Sequence, residues 1–351
     1  MSAQPQVLES GVLVLRWRAC SWLLAWRPLC VTTLLAAGLL GAVVLALLVG
    51  SQWLSPAVIW QVVQGDASSS LLILEFRLPR VLVAVVAGMA LALAGGLLQT
   101  LTGNRLASPE LLGLTDGATC TMLIALVLSP EGSFGPWWVG PLGALLAMAS
   151  LLVVSGGVGQ RGQRMLIVGI GLACLLRAMA ELALSQQSLQ HASAIYAWTT
   201  GSLAGKGTAT LLPLAAGLAV LLPLAMLCRR QLALLRLDVD VAATLGVPVR
   251  AVQWLTLLTA VSLAGLAVGL CGPLAFVALA APIIAERWAG GAAMPLPACA
   301  LLGGMLVVLA DLLGRILLPN AELPAGVICN LLGGPFLLWV LLGKGSAGKR
   351  E

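Results

Sequence analysis

The chain has 351 residues, 60% hydrophobic and only 9% charged, with a mean hydropathy of +1.05 and a net charge of +6. A soluble core of ordinary proportions cannot hide that much apolar surface, which excludes a soluble enzyme and places the chain in a bilayer. The positive charge tracks a few short loops, so it is read as a mark of membrane orientation and not of nucleic-acid binding.

Lipid offers no partners for backbone N–H and C=O groups, and about 20 apolar residues of helix cross roughly 30 Å of hydrocarbon. The expected fold is therefore an all-α integral membrane protein, a polytopic bundle of about ten transmembrane helices. Residues 1–29 read as a cytoplasmic or interfacial segment, because Arg16, Arg18 and Arg27 alternate there with Trp17, Trp22 and Trp26. No cleaved signal peptide is expected. Residues 30–342 read as one ten-span domain, with spans near 30–50, 81–102, 108–129, 138–157, 165–185, 210–228, 251–271, 274–285, 297–317 and 324–342. The third, fifth, eighth and ninth are weakest, being charged or short. Residues 343–351 form a basic tail. It nearly spells a phosphate-binding loop, but Arg350 stands where Ser or Thr is required.

Arg16, Arg18, Arg27, Arg105, Arg161, Arg164, Arg229, Arg230, Arg236, Arg250, Arg287, Lys344, Lys349 and Arg350 fall on one side, which the positive-inside rule makes the cytoplasm. Ten is even, so both termini are expected there. Arg77, Arg80, Lys206 and Arg315 are left outside, three of them at span mouths, and such exceptions mark candidate docking residues. Inside or beside the spans, Arg177 with Glu181 and Asp311 with Arg315 stand at i,i+4 on one helix face; the first pair is expected to neutralise itself, whereas Arg315 differs in ending its span on the outside, as Arg77 and Arg80 begin theirs. Gly88, Ala92 and Gly96 form a small-residue row for close helix packing.

His191 is the only histidine, which excludes His-based metal clusters and Ser-His-Asp triads. The eight cysteines are scattered without a CxxC, so neither a disulfide framework nor a zinc site is indicated. Any ATP the protein uses must be bound by another subunit. In the charged loop 229–250, Asp238 and Asp240 can begin a short helix and Gly246 can end it in a left-handed cap.

Seven segments in order give the chain a strong resemblance to a known family: Arg77-Leu-Pro-Arg80, Asn104-Arg-Leu-Ala-Ser-Pro-Glu-Leu-Leu-Gly113, Ala197-Trp-Thr-Thr-Gly-Ser-Leu203, Ala242-Ala-Thr-Leu-Gly-Val247, Gly272-Pro-Leu-Ala-Phe-Val277, Ala310-Asp-Leu-Leu-Gly-Arg315, and Glu322-Leu-Pro-Ala-Gly326 with Gly333-Gly-Pro-Phe336. The chain resembles the permease subunits of ATP-binding-cassette importers for ferric siderophores, haem and cobalamin. The resemblance implies a multi-pass permease of the bacterial inner membrane, in lipid, with no catalytic residue, metal or cofactor of its own. It implies a dimer with a second permease, a non-identical one being slightly favoured, and two cytoplasmic ATPases that bind ATP and Mg. It also implies a periplasmic binding protein docked on Arg77, Arg80 and Arg315. The segment holding Asp238, Ala242, Ala243, Leu245 and Gly246 would couple to the ATPase, and Trp198, Gly201, Ser202 and Leu203 would line the outer path. A ferric siderophore is the favoured cargo, with cobalamin or haem as alternatives within the family. Ion-gradient-driven secondary transport and a non-transporting membrane subunit are readings from other classes. The chain departs from the family pattern at Arg105, where a proline is usual, and at Ile283 and Glu286, where histidine and arginine are usual.

Overall fold

In hydrocarbon every backbone amide must find its partner within the protein, and this sequence meets that demand with helices. The computed structural model describes residues 6–8, 12–17, 20–50, 54–55, 72–129, 135–157, 162–185, 195–196, 198–236, 239–290, 293–318 and 321–343. Its helices are α1 (Trp26–Leu48), α2 (Leu78–Thr102), α3 (Leu114–Leu128), α4 (Val139–Ser155), α5 (Gly162–Ser185), α6 (Thr208–Leu235), α7 (Val239–Thr244), α8 (Val249–Cys271), α9 (Val277–Ala289), α10 (Leu296–Ile316) and α11 (Ala325–Gly343), with a π-helical turn Leu72–Arg77 leading into α2. Setting aside the six-residue α7, ten helices correspond one for one to the ten expected spans.

Among the described residues, six helices are long and apolar enough to cross a membrane: α1, α2 with its π turn, α5, α6, α8 and α10. Four are shorter, including α3 with 15 residues and α9 with 13. Both of these follow irregular backbone that is enclosed by protein. Ala107, Ser108 and Leu112 are buried ahead of α3, and Leu274 ahead of α9. Non-helical backbone is tolerated at membrane depth only under such cover. α6 continues to Leu235, past the expected end near 228, because Arg229, Arg230 and Gln231 form helix well once it has left the apolar layer. Ahead of α1, three short strands, β1 (Gln6–Leu8), β2 (Val12–Trp17) and β3 (Cys20–Ala25), pair antiparallel with Leu8 opposite Val12 and Leu13 opposite Leu24. The interfacial segment read from residues 1–29 therefore takes strand form before α1.

α2 is the centre of the bundle, and most of its side chains are buried. The small-residue row sets how closely α10 approaches it. A methyl group added at Gly88 would meet the backbone of Gly303 and Gly304, and one added at Gly303 would meet Ala92. Gly96 is looser, with the Cys299 sulfur 3.4 Å from such a carbon. α9 lies equally close on another side of α2, where Gly95 faces the Ala278 carbonyl and Gln99 Nε2 donates to Leu279 O at 3.1 Å. α8 packs behind α2, with Gly265 and Gly269 against Gly140 of α4. α1, α5 and α6 carry mostly exposed apolar faces, suited to lipid or to a partner subunit.

Candidate functional site

Arg77 and Arg80, close in sequence, meet the distant Arg315 at one end of the bundle. Arg80, in the first turn of α2, places Nε and Nη2 at 3.1 Å and 2.9 Å from Asp311 Oδ1 on α10, and Nη1 at 2.9 Å from Glu322 Oε2. Arg315 pairs at i,i+4 with Asp311, Nε to Oδ2 at 3.1 Å, and its Nη1 donates to Ala46 O at 3.2 Å. Arg77 Nη1 donates to Leu47 O at 2.7 Å. Two arginines thus satisfy carbonyls at the C-terminus of α1, where a helix leaves acceptors unpaired and its dipole favours cations. Arg77 and Arg315 are 8% and 9% exposed, while the Glu322 side chain is 47% exposed. The arginines first tie α1, α2 and α10 together, and Glu322 is the most open member of the cluster.

A second assembly surrounds a cavity of about 440 Å³ lined by residues of α3, α5, α11 and the segment 198–203. Its polar lining includes Glu110, Asp116, Arg177, Glu181, Thr199 and Asn330. The Arg177–Glu181 pair expected within α5 does not form. Arg177 Nη2 instead lies 3.3 Å from Asp116 Oδ1 on α3, and Glu181 lines the cavity beside them. The physical reason is burial: the Asp116 side chain is only 15% exposed, and leaving it unpaired would cost more than leaving Glu181 in the open. Glu110, from the loop between α2 and α3, accepts the Phe276 N–H at 3.0 Å. Phe276 has φ +74, the only positive φ outside glycine among the described residues, and its ring meets Phe336 edge-on at 5.1 Å. Such strain persists only where the surroundings hold it in place.

The expected path residues take different stations. Trp198 and Leu203 are buried anchors and Ser202 is half-buried. Gly201, at φ +82, lets the chain pass against Pro273, and its carbonyl accepts the Gly326 N–H at 2.9 Å. Thr199 and Thr200 between them are the members that reach the cavity. Lys206, just beyond, is half-buried, and that burial lowers its amine from the ordinary lysine value.

At the other end of α2 and α10 stands α7. Ala242 is its one buried side chain among the described residues, whereas Ala243 is exposed and Val239, Val241 and Leu245 present open apolar groups. Gly246, at φ +82, ends the helix as expected: its N–H bonds Ala243 O at 3.0 Å and the Val247 N–H bonds Ala242 O at 3.0 Å, a Schellman arrangement. Asp238 and the tail 344–351 lie outside the described residues.

Sequence reasoning missed Glu110, Asp116 and Phe276. Asp116 carried a usable signal, a carboxylate in an apolar span with no cation one turn away, which calls for a partner on another helix.

The FecCD transport family matches residues 38–343. The Fe(3+)-citrate import system permease protein YfmE of Bacillus subtilis is 32% identical over 321 residues, covering 90% of this chain and 95% of that protein. The vitamin B12 import system permease protein BtuC of Vibrio cholerae is 34% identical over 330 residues, covering 93% and 95%. A solved structure described as an inward-facing metal-chelate type ABC transporter superposes with a TM-score of 0.78 at 26% identity, covering 90% of this chain and 99% of that one.

Proposed function

We propose, from the premise that this chain belongs to the FecCD transport family, that it is the membrane-spanning permease of an ATP-driven importer carrying a ferric siderophore or related iron chelate. The observation that carries this reading is the match along nearly the whole chain to permeases of one transport family. A chelate suits this chain, because its single histidine and few carboxylates would not strip iron from a ligand that brings its own donors. The cobalamin relative supports a second cargo within the same mechanism.

In this account the chain performs no bond chemistry. A periplasmic binding protein docks at Arg77, Arg80 and Arg315 through its carboxylates, Arg80 exchanging Glu322 for the incoming group. Two ATPase subunits, which bind ATP and Mg, seat against the open apolar face of α7. The permease pairs with a second permease, and cargo passes the segment 198–203 and the polar cavity. The Lys and Arg asymmetry supports placing α7 on the cytoplasmic side of a bacterial inner membrane.

The test is purification of the tagged chain from its native membranes in mild detergent, followed by mass spectrometry. An ABC ATPase recovered with a second, different permease supports a heterodimeric importer, and the ATPase alone supports a homodimer. Repeated recovery with neither refutes the reading and favours gradient-driven transport.

A further inference from the structure

α9 is a short rod with a distinct fastening at each end. Its first end meets the cavity: Phe276, its N-cap, is held by the Glu110 carboxylate, and Pro273 and Ala275 of the preceding turn line the cavity wall. Its last turn meets the loops around α7. Glu286 Oε1 accepts Arg236 Nη1 at 2.8 Å, and Oε2 lies 3.5 Å from Arg105 Nε. Arg236 caps α6 and stands three residues ahead of Val239, the start of α7. Arg27 of α1 steadies the same end through Trp288 O at 3.1 Å.

Burial separates the two partners of Glu286. Arg236 is 22% exposed and makes a short charge-assisted bond, whereas Arg105 is 62% exposed and more distant. Exposed, loose pairs contribute little, so Arg236 carries the connection. Between its ends, α9 spans about 20 Å. Its first turn packs on α2, with Ala278 against Gly95 and Leu279 O accepting from Gln99, and Pro282 stands between that turn and Glu286.

We infer that Glu286 is a positioning residue that pins α9 to the segment leading into α7, so that α9 links movement of α7 to the turn 272–276 beside the cavity. This rests on α7 being the ATPase contact proposed above. The link is two-ended: Arg236–Glu286 at the α7 side and Phe276–Glu110 at the cavity side.

The experiment uses the full importer complex in proteoliposomes and measures ATP hydrolysed per iron taken up. The probes are radiolabelled iron as its citrate, trihydroxamate and triscatecholate complexes, with a cyanocobalamin control. Glu286→Gln is expected to raise the ATP hydrolysed per cargo by about fivefold or more, the size of a modest coupling energy, with thermal stability measured alongside. Arg105→Ala is expected to change the ratio by less than about twofold. Glu286→Arg combined with Arg236→Glu, in an Arg105→Ala background so that no cation opposes the new one, is expected to restore the ratio. Should Glu286→Gln fail to assemble, the charge exchange decides alone. An assembled Glu286→Gln complex with the wild-type ratio, or an assembled exchange variant without recovery, overturns the inference. A wild-type complex that moves none of the probes in response to ATP counts instead against the proposed function.

Discussion

Replacing Asp311 by asparagine perturbs the arginine cluster at its most enclosed point. The Asp311 side chain is 2% exposed and faces Arg80 at 2.9 Å and Arg315 at 3.1 Å. Asn keeps the shape and one acceptor but removes the charge, leaving Arg315 buried without its carboxylate. Removing one member of a buried ion pair costs about 3–5 kcal/mol. Glu322→Gln supplies the comparison, because Glu322 approaches the same Arg80 at the same 2.9 Å but from a position 47% exposed. Exposed pairs contribute about 0–1 kcal/mol, so the two variants should differ by at least about 2 kcal/mol although their distances match. Unfolding in mixed micelles by stepwise addition of a denaturing detergent, followed by tryptophan fluorescence, measures both. Adding Arg315→Gln to Asp311→Asn should recover part of the loss, since the stranded cation is then gone. Equal destabilisation by Asp311→Asn and Glu322→Gln would refute the argument that burial sets the strength of this cluster.

Gly88→Ala should destabilise by about 1–3 kcal/mol, because its methyl group meets the Gly303 backbone, whereas Gly41→Ala on α1, with open space around it, should be neutral or slightly stabilising. The same unfolding measurement decides, and equal effects would contradict the packing described. At Gly246 an added side chain meets nothing, so the cost lies in the backbone at φ +82. Gly246→Val should lower ATP-driven uptake while Gly246→Asn, which tolerates the left-handed region, should retain most of it. Arg177→Ala leaves Asp116 without its partner and should reduce both uptake and thermal stability more than Glu181→Ala; the reverse order would show that Asp116 does not depend on Arg177.

The spans were legible because hydrophobicity over about twenty residues is a local property that each segment carries alone. The Gly246 cap and the Asp311–Arg315 pair were legible for the same reason, since each is decided within one or two helical turns. Contacts between helices were not. Arg177 has an acid one turn away, and only the packing of α5 on α3 reveals that Asp116 is its partner. Arg77, Arg80 and Arg315 were recognisable as displaced cations, but nothing local indicated that Arg77 and Arg315 meet the end of α1 or that Arg80 meets Asp311 and Glu322. Arg105 and Glu286 each looked like an isolated departure from the family pattern. They are 3.5 Å apart, so the two changes fall at one place with opposite charge. Phe276 gave no signal at all, because its φ is imposed by the turn at Gly272 and Pro273 and by Glu110 from another loop.

The central claim is that this chain moves a chelated cargo when partner subunits hydrolyse ATP. The most direct test reconstitutes the permease with its ATPase and binding protein in proteoliposomes and follows uptake of radiolabelled ferric chelates, with and without ATP on the ATPase side and with ion gradients collapsed. Uptake that requires ATP and persists without a gradient is the predicted result. Uptake that needs a proton or sodium gradient and proceeds without ATP would contradict the account.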